Sequence, residues 1–291
     1  MKWRGARKST NVEDRRGRPM SSGVKVGGGI GGLGIVAVVI MLLMGGDPMQ
    51  LLGQLLGGGG GSVASAPTQR TAPSAESDAL AEFASVVLAD TEETWRALFK
   101  QYGSQYRDPT LVLYTGAVQS ACGRNSAATG PFYCPGDQKL YLDTSFFNQL
   151  SRMGAPGDFA SAYVIGHEVA HHVQNLTGVL TKVRQMQSRV SKTDGNALQV
   201  LVELQADCYA GVWANHAERQ RDMLDQGDVE EGLRAAASIG DDHLQKQAGQ
   251  RVRPESFTHG SSEQRVQWFR TGISQGDVGQ CDTFASAGVR L

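Results

Sequence analysis

Val164-Ile165-Gly166-His167-Glu168-Val169-Ala170-His171-His172 carries two histidines four residues apart. On a helix both imidazoles leave one face and can grip a single metal ion. Glu168 follows the first of them, close to such an ion without ligating it, where a carboxylate can take a proton from water. Six histidines in the chain make a chance HExxH a matter of about one sequence in a hundred. The neighbours Ala162, Val164, Ile165, Val169, Ala170 and Val173 are apolar on every side, so the helix is expected to be buried. Burying two histidines and a glutamate is costly unless a metal or close partners hold them.

Zinc held by two histidines needs a third protein ligand and one open position. Leu201-Val202-Glu203-Leu204-Gln205-Ala206-Asp207-Cys208 places Glu203 and Asp207 four apart on one face of a second apolar helix. Glu203 is assigned to the metal. Asp207 is assigned to the free N–H of a ligating histidine, whose tautomer it would fix; the reverse assignment stays open. A third histidine of the HExxHxxGxxH type is excluded, because Leu176, Thr177 and Gly178 occupy that territory. A donor is also needed opposite the metal for the tetrahedral oxyanion. His259 is the candidate because His259-Gly260 before a predicted helix resembles the His-Pro that membrane-anchored zinc peptidases carry near the oxyanion, with Gly in place of Pro; Arg265 and Tyr209 are substitutes. His172 points about 100° away from His171 and reads as packed.

The whole chain has 28 Lys+Arg against 29 Asp+Glu and 40% hydrophobic residues, ordinary for a globular protein. The charges are unevenly spread. Lys2, Arg4, Arg7, Lys8, Arg15, Arg16, Arg18 and Lys25 open the chain against Glu13 and Asp14 alone, and no further Lys or Arg follows until Arg70. The rest is mildly acidic with no basic aromatic stripe, which argues against nucleic acid as a partner. Residues 26–44 hold no charge, just enough to span a bilayer. Positive-inside then makes residues 1–25 a basic cytoplasmic tail and residues 26–44 a single-pass anchor in the lipid bilayer. Ala64-Ser65-Ala66 lies too far beyond the apolar run for a leader cleavage site, so the anchor is read as uncleaved. Residues 45–77, rich in Gly, Ser and Pro, read as a tether, and residues 78–291 as one extracytoplasmic domain, periplasmic or at the cell surface.

Apolar spacing predicts one long or two short helices over 80–102, a strand at Leu111–Tyr114, and a hairpin of Phe132–Cys134 with Leu140–Leu142. Helices follow at 145–152, 158–176, 180–191, 197–220, 229–238 and 262–270, with Asp158 and Ser261 or Ser262 as N-caps. The class is α+β and mostly helical. All four cysteines follow the apolar run, so two disulfides are allowed; the short loop favours Cys122–Cys134, leaving Cys208–Cys281.

His-Glu-Val-Ala-His-His-Val-Gln from His167 and Glu-Leu-Gln-Ala-Asp-Cys-Tyr-Ala-Gly from Glu203 resemble the thermolysin-like gluzincins. Together with the basic Met-Lys-Trp-Arg-Gly start, the stretch Gly130–Asp143 and the stretch Phe257–Phe269, they more closely resemble the YpfJ-type family of predicted neutral zinc metallopeptidases of bacterial envelopes. The resemblance spans almost the whole chain. It implies a zincin-like domain: a small sheet whose edge strand receives substrate beside the HExxH helix, and one N-terminal membrane anchor. Lys139–Leu142 is the candidate edge strand. The expected function is hydrolysis of peptide bonds in peptide or protein substrates through a zinc-activated water, with Glu168 as base. The rival is a non-catalytic zinc-containing envelope scaffold with a membrane-protein partner, which intact Glu168 disfavours; a zinc hydrolase of other amides shares the same metal chemistry.

Overall fold

A computed structural model describes residues 1–17 and 73–291. The first helix among the described residues, α1 (Ala75–Gln101), runs unbroken from a Ser74 cap whose hydroxyl accepts the Ser77 N–H. Strands β2 (Thr110–Tyr114), β3 (Ala117–Ser120), β4 (Gly123–Ser126), β5 (Phe132–Cys134) and β6 (Lys139–Asp143) follow. Helices α2 (Ser145–Arg152), α3 (Asp158–Leu176), α4 (Val179–Gln187), α5 (Lys192–Arg221), α6 (Asp228–Ser238), α7 (Asp241–Gln247), α8 (Ser262–Gln275) and α9 (Thr283–Ser286) complete the α+β fold. Helix α8 starts on a capping box, Ser261 with Gln264. Asp158, expected as the cap of α3, is instead its first residue, after Gly157.

The sheet has the order β1-β2-β6-β5, where β1 is Val12–Asp14. Strands β1, β2 and β6 run parallel and β5 antiparallel to β6. Strand β6, Lys139–Leu142 included, is therefore paired on both sides. The free edge expected there belongs to β5, because the Phe132–Cys134 arm of the hairpin is the outer one.

Residues 1–17 belong to this same folded unit, which overturns the boundary expected at residue 78. Val12, Glu13 and Asp14 pair with Leu111, Val112 and Leu113. The Trp3 ring meets Phe83 edge-on at 5.4 Å and its N–H donates to Asp158 at 3.1 Å. Of the eight basic residues behind the positive-inside count, Lys2 pairs with Asp222, Arg7 with Glu92, Lys8 with Glu82, Arg15 with Glu13, and Arg16 with Asp14 and Asp78. Arg4 lies over the Trp3 ring. These charges have partners in the fold. The expected span, residues 26–44, lies outside the described residues, as do 18–25 and most of the expected tether. Among the described residues no helix is long and apolar enough to cross a membrane.

Helix α3 sits at the centre, packed on α1, α5 and α6. Two glycine sites set its surroundings. A side chain on Gly166 would meet the Trp213 ring at 2.7 Å, so α3 and α5 approach as closely as a bare backbone allows. Gly211 and Gly272 bring α5 and α8 together in the same way: a Cβ on Gly272 would lie 2.8 Å from the Cys208 carbonyl carbon and 2.9 Å from Val212 N. Both expected disulfides are present, Cys122–Cys134 and Cys208–Cys281.

Candidate metal centre and active site

The unbroken apolar surround of α3 forces His167 and His171 into the interior, toward the inward face of α5 that carries Glu203. His167 Nε2 stands 3.1 Å and His171 Nε2 3.4 Å from Glu203 Oε2. Two ligands about 2.05 Å from a tetrahedral ion stand about 3.3 Å apart, so these separations are those of a zinc donor set. A second observation agrees: Glu168 Oε2 is buried with no hydrogen-bond partner among the described residues. A buried carboxylate oxygen without a donor is costly in a filled core, and its place beside the donor set suits a water or substrate group. The residues present fit a zinc ion.

Behind His167, Asp207 Oδ1 accepts from Nδ1 at 2.8 Å and from the Tyr163 hydroxyl. Arg265 donates to Asp207 through Nε and Nη2, both at 2.9 Å. The Asp207 and Arg265 side chains are almost wholly buried, 0% and 2% exposed, so this is a desolvated ion pair held by a full set of donors. Arg265 also lines the cleft, with Nε and Nη2 engaged by Asp207 and Nη1 donating to the Ile239 carbonyl at 3.1 Å. Tyr209, the other alternative, packs edge-on against Trp95 outside the cleft.

His259 does reach the cleft, which has a volume of about 390 Å³ and is lined by His167, Glu168, His171, Glu203, His259 and Pro131–Tyr133 of the β5 edge, among others. Its Nδ1 meets Asp241 Oδ1 at 3.2 Å, and its backbone N–H donates to Asp241 Oδ2 at 2.7 Å. Thr258 and Gly260 N–H groups donate to the same oxygen. Asp241 thus holds the whole turn and orients the imidazole. The sequence reading missed it, although an aspartate at the start of a short polar helix, buried and 18 residues from a candidate histidine, is the available signal.

The family described as "Putative neutral zinc metallopeptidase" matches residues 1–284. The chain belongs to this family. It is 45% identical to the protein named YpfJ of Escherichia coli (strain K12), over 99% of this chain and 100% of that one. It is 42% identical to Mb2605 of Mycobacterium bovis, over 66% of this chain and 67% of that protein. Both relatives carry the word uncharacterized in their names, so they establish kinship and no substrate. No solved structure matches the chain.

The buried imidazoles and carboxylates of the site shift one another's pKa values. Burial opposes charge on His167, but the Asp207 carboxylate and Glu203 outweigh it and raise its pKa to about 9. His171 is raised in the same way by Glu203. Burial would raise Asp207, yet Arg265 and His167 hold it down to about 2, and His171 and His167 hold Glu203 well below the carboxylate range. His172 is different: wholly buried, it is lowered to about 4, mainly by desolvation. Its Nε2 meets the Arg107 carbonyl at 2.6 Å and its Nδ1 the Tyr133 hydroxyl at 3.0 Å. A neutral His172 therefore ties β5 to α3, a packing role that holds the edge strand beside the cleft.

Proposed function

We propose that this protein hydrolyses peptide bonds, with zinc held by His167, His171 and Glu203 on a zincin-like framework. The observation that carries the reading is Glu168, which lines the cleft beside three donors at zinc spacing and whose buried Oε2 has no hydrogen-bond partner among the described residues. A purely structural metal site closes all its positions with protein ligands and has no use for such a group. Zinc, when bound, lowers the pKa of water and polarises the scissile carbonyl. Glu168 accepts the proton of the attacking water and passes it to the leaving amine. Asp241 accepts from His259 Nδ1, so His259 donates from Nε2 to the oxyanion developing on the carbonyl as the imidazolium, with both ring nitrogens protonated. The free edge of β5 aligns an extended peptide across the cleft, since its unpaired backbone groups can take one more strand. Asp207 keeps His167 in the tautomer that leaves Nε2 open.

The compartment we propose is outside the cytoplasm, supported by two disulfides that close without leaving a free cysteine. Residues 1–17 share that side with the cleft.

The test is cleavage of a peptide library by the full chain, read by mass spectrometry. Wild type cleaves, a chelator stops it and added zinc restores it; Glu168→Gln loses about 10²–10⁴-fold in rate while still folding. Unchanged turnover in Glu168→Gln on a peptide the wild type cleaves would reject the reading.

A further inference from the structure

His167 has a carboxylate behind it; His171 has an amide. Gln174 lies one turn beyond His171 on α3, wholly buried, with its Oε1 2.8 Å from His171 Nδ1. The orientation of that amide is fixed from its other end. Gln174 Nε2 donates to the Val202 carbonyl at 2.8 Å and to Gln205 Oε1 at 3.1 Å, so both amide hydrogens have acceptors. Reversing the amide would press its oxygen against two other oxygens and leave its NH2 group against the ring nitrogen. With Oε1 facing the ring, Nδ1 carries the proton. In the neutral ring the lone pair is then on Nε2, the nitrogen that faces Glu203 and that a metal ion between the two would take.

Gln205 is held in turn. Its Nε2 donates to the Cys281 carbonyl at 3.1 Å, and Cys281 is bonded to Cys208, three residues beyond Gln205 on α5. The disulfide brings the tail back onto the helix turn that supplies the second glutamine. The chain of contacts therefore runs from the tail carbonyl through two buried amides to the imidazole.

The geometry points to Gln174 as the positioning residue for His171, fixing the ring with Nε2 open to metal, and to Gln205 on the Cys281 carbonyl as the support that keeps the Gln174 amide in that orientation. This rests on the reading of His171 as a zinc ligand. An amide suits the place because the site already holds Glu168, Glu203 and Asp207. It sets the tautomer without adding a fourth anion.

The test uses the full chain in three variants, Gln174→Met, Gln205→Met and His171→Ala, with zinc affinity measured by competition against a chromophoric chelator. Gln174→Met should bind zinc about 10–100-fold more weakly, the usual effect of losing a partner behind a ligating histidine. Gln205→Met should lose less, because Val202 still takes one amide hydrogen. A packing role alone would not set the ring proton, so nitrogen NMR of the metal-free protein, at a pH where the ring is neutral, is the second reading. Wild type should show His171 protonated on Nδ1, and Gln174→Met should shift it toward Nε2. Zinc affinity in Gln174→Met within twofold of wild type overturns the proposal. So does a wild-type His171 protonated on Nε2, which decides the matter even where the variant fails to fold. Undiminished zinc binding in His171→Ala would instead remove the ligand assignment on which the proposal stands.

Discussion

Asp207→Asn removes one charge at the place where the site is most deeply desolvated. Asp207 is 0% exposed and receives Arg265 Nε and Nη2, His167 Nδ1 and the Tyr163 hydroxyl. Asparagine keeps the shape but sets an NH2 group among donors and leaves the buried guanidinium without its counter-ion. Breaking such a pair from one side costs about 3–5 kcal/mol. Against a total of about 5–15 kcal/mol for a folded domain, that is a large fraction. Arg265→Met should cost less, because Asp207 keeps His167 and Tyr163 as donors. The double variant should be more stable than the sum of the two losses implies, with a coupling of about 0.5–3 kcal/mol. Urea unfolding at neutral pH, in chelator so that metal binding does not contribute, measures all three. Asp207→Asn within about 1 kcal/mol of wild type would refute the claim that Asp207 and Arg265 form an obligatory buried pair behind His167.

Gly272→Ala should destabilise by about 1–3 kcal/mol or more, because the added methyl meets the Cys208 carbonyl across the α5–α8 contact; an unchanged urea midpoint would mean the helices have room. Thr10→Cys and Ser274→Cys, both exposed, should react alike with a membrane-impermeant maleimide on spheroplasts, and labelling from opposite faces would contradict the joint fold of residues 1–17 and 73–291. Burial opposes charge on Asp241, but its bonds to His259 and the turn lower its pKa, so its stabilisation is complete above the unfolded value of about 3.9 and lost as pH falls below it. The stability gap between wild type and Asp241→Asn should hold steady from about pH 5 to 7 and shrink in acid; a gap that widens in acid would reverse the sign.

The site was legible where one helix repeat carries the information. His167 and His171 share a face by spacing alone, and Glu203 and Asp207 share another, so the sequence brings each pair together before any fold is known. What joins the pairs is the bare-backbone approach at Gly166 against Trp213, which depends on tertiary packing and has no local signature. The parallel β2–β6 register and the outer place of β5 are long-range facts of the same kind. The N-terminal segment can be read in two ways for a physical reason. A run of Lys and Arg before an uncharged stretch is identical in composition whether it faces anionic lipid or pairs with Glu82, Glu92, Asp78 and Asp222, and only the partners tell the two apart. Asp241 was missed because its partners are backbone N–H groups of a turn 17 to 19 residues away.

The central claim is that His167, His171 and Glu203 hold zinc while Glu168 stays free of it. Zinc per chain, measured by elemental analysis on purified wild type and three variants, tests it most directly. About one zinc is expected in wild type and in Glu168→Gln, and marked loss in His171→Ala and Glu203→Ala. Full retention of zinc in both His171→Ala and Glu203→Ala, or its loss in a folded Glu168→Gln, would contradict the account.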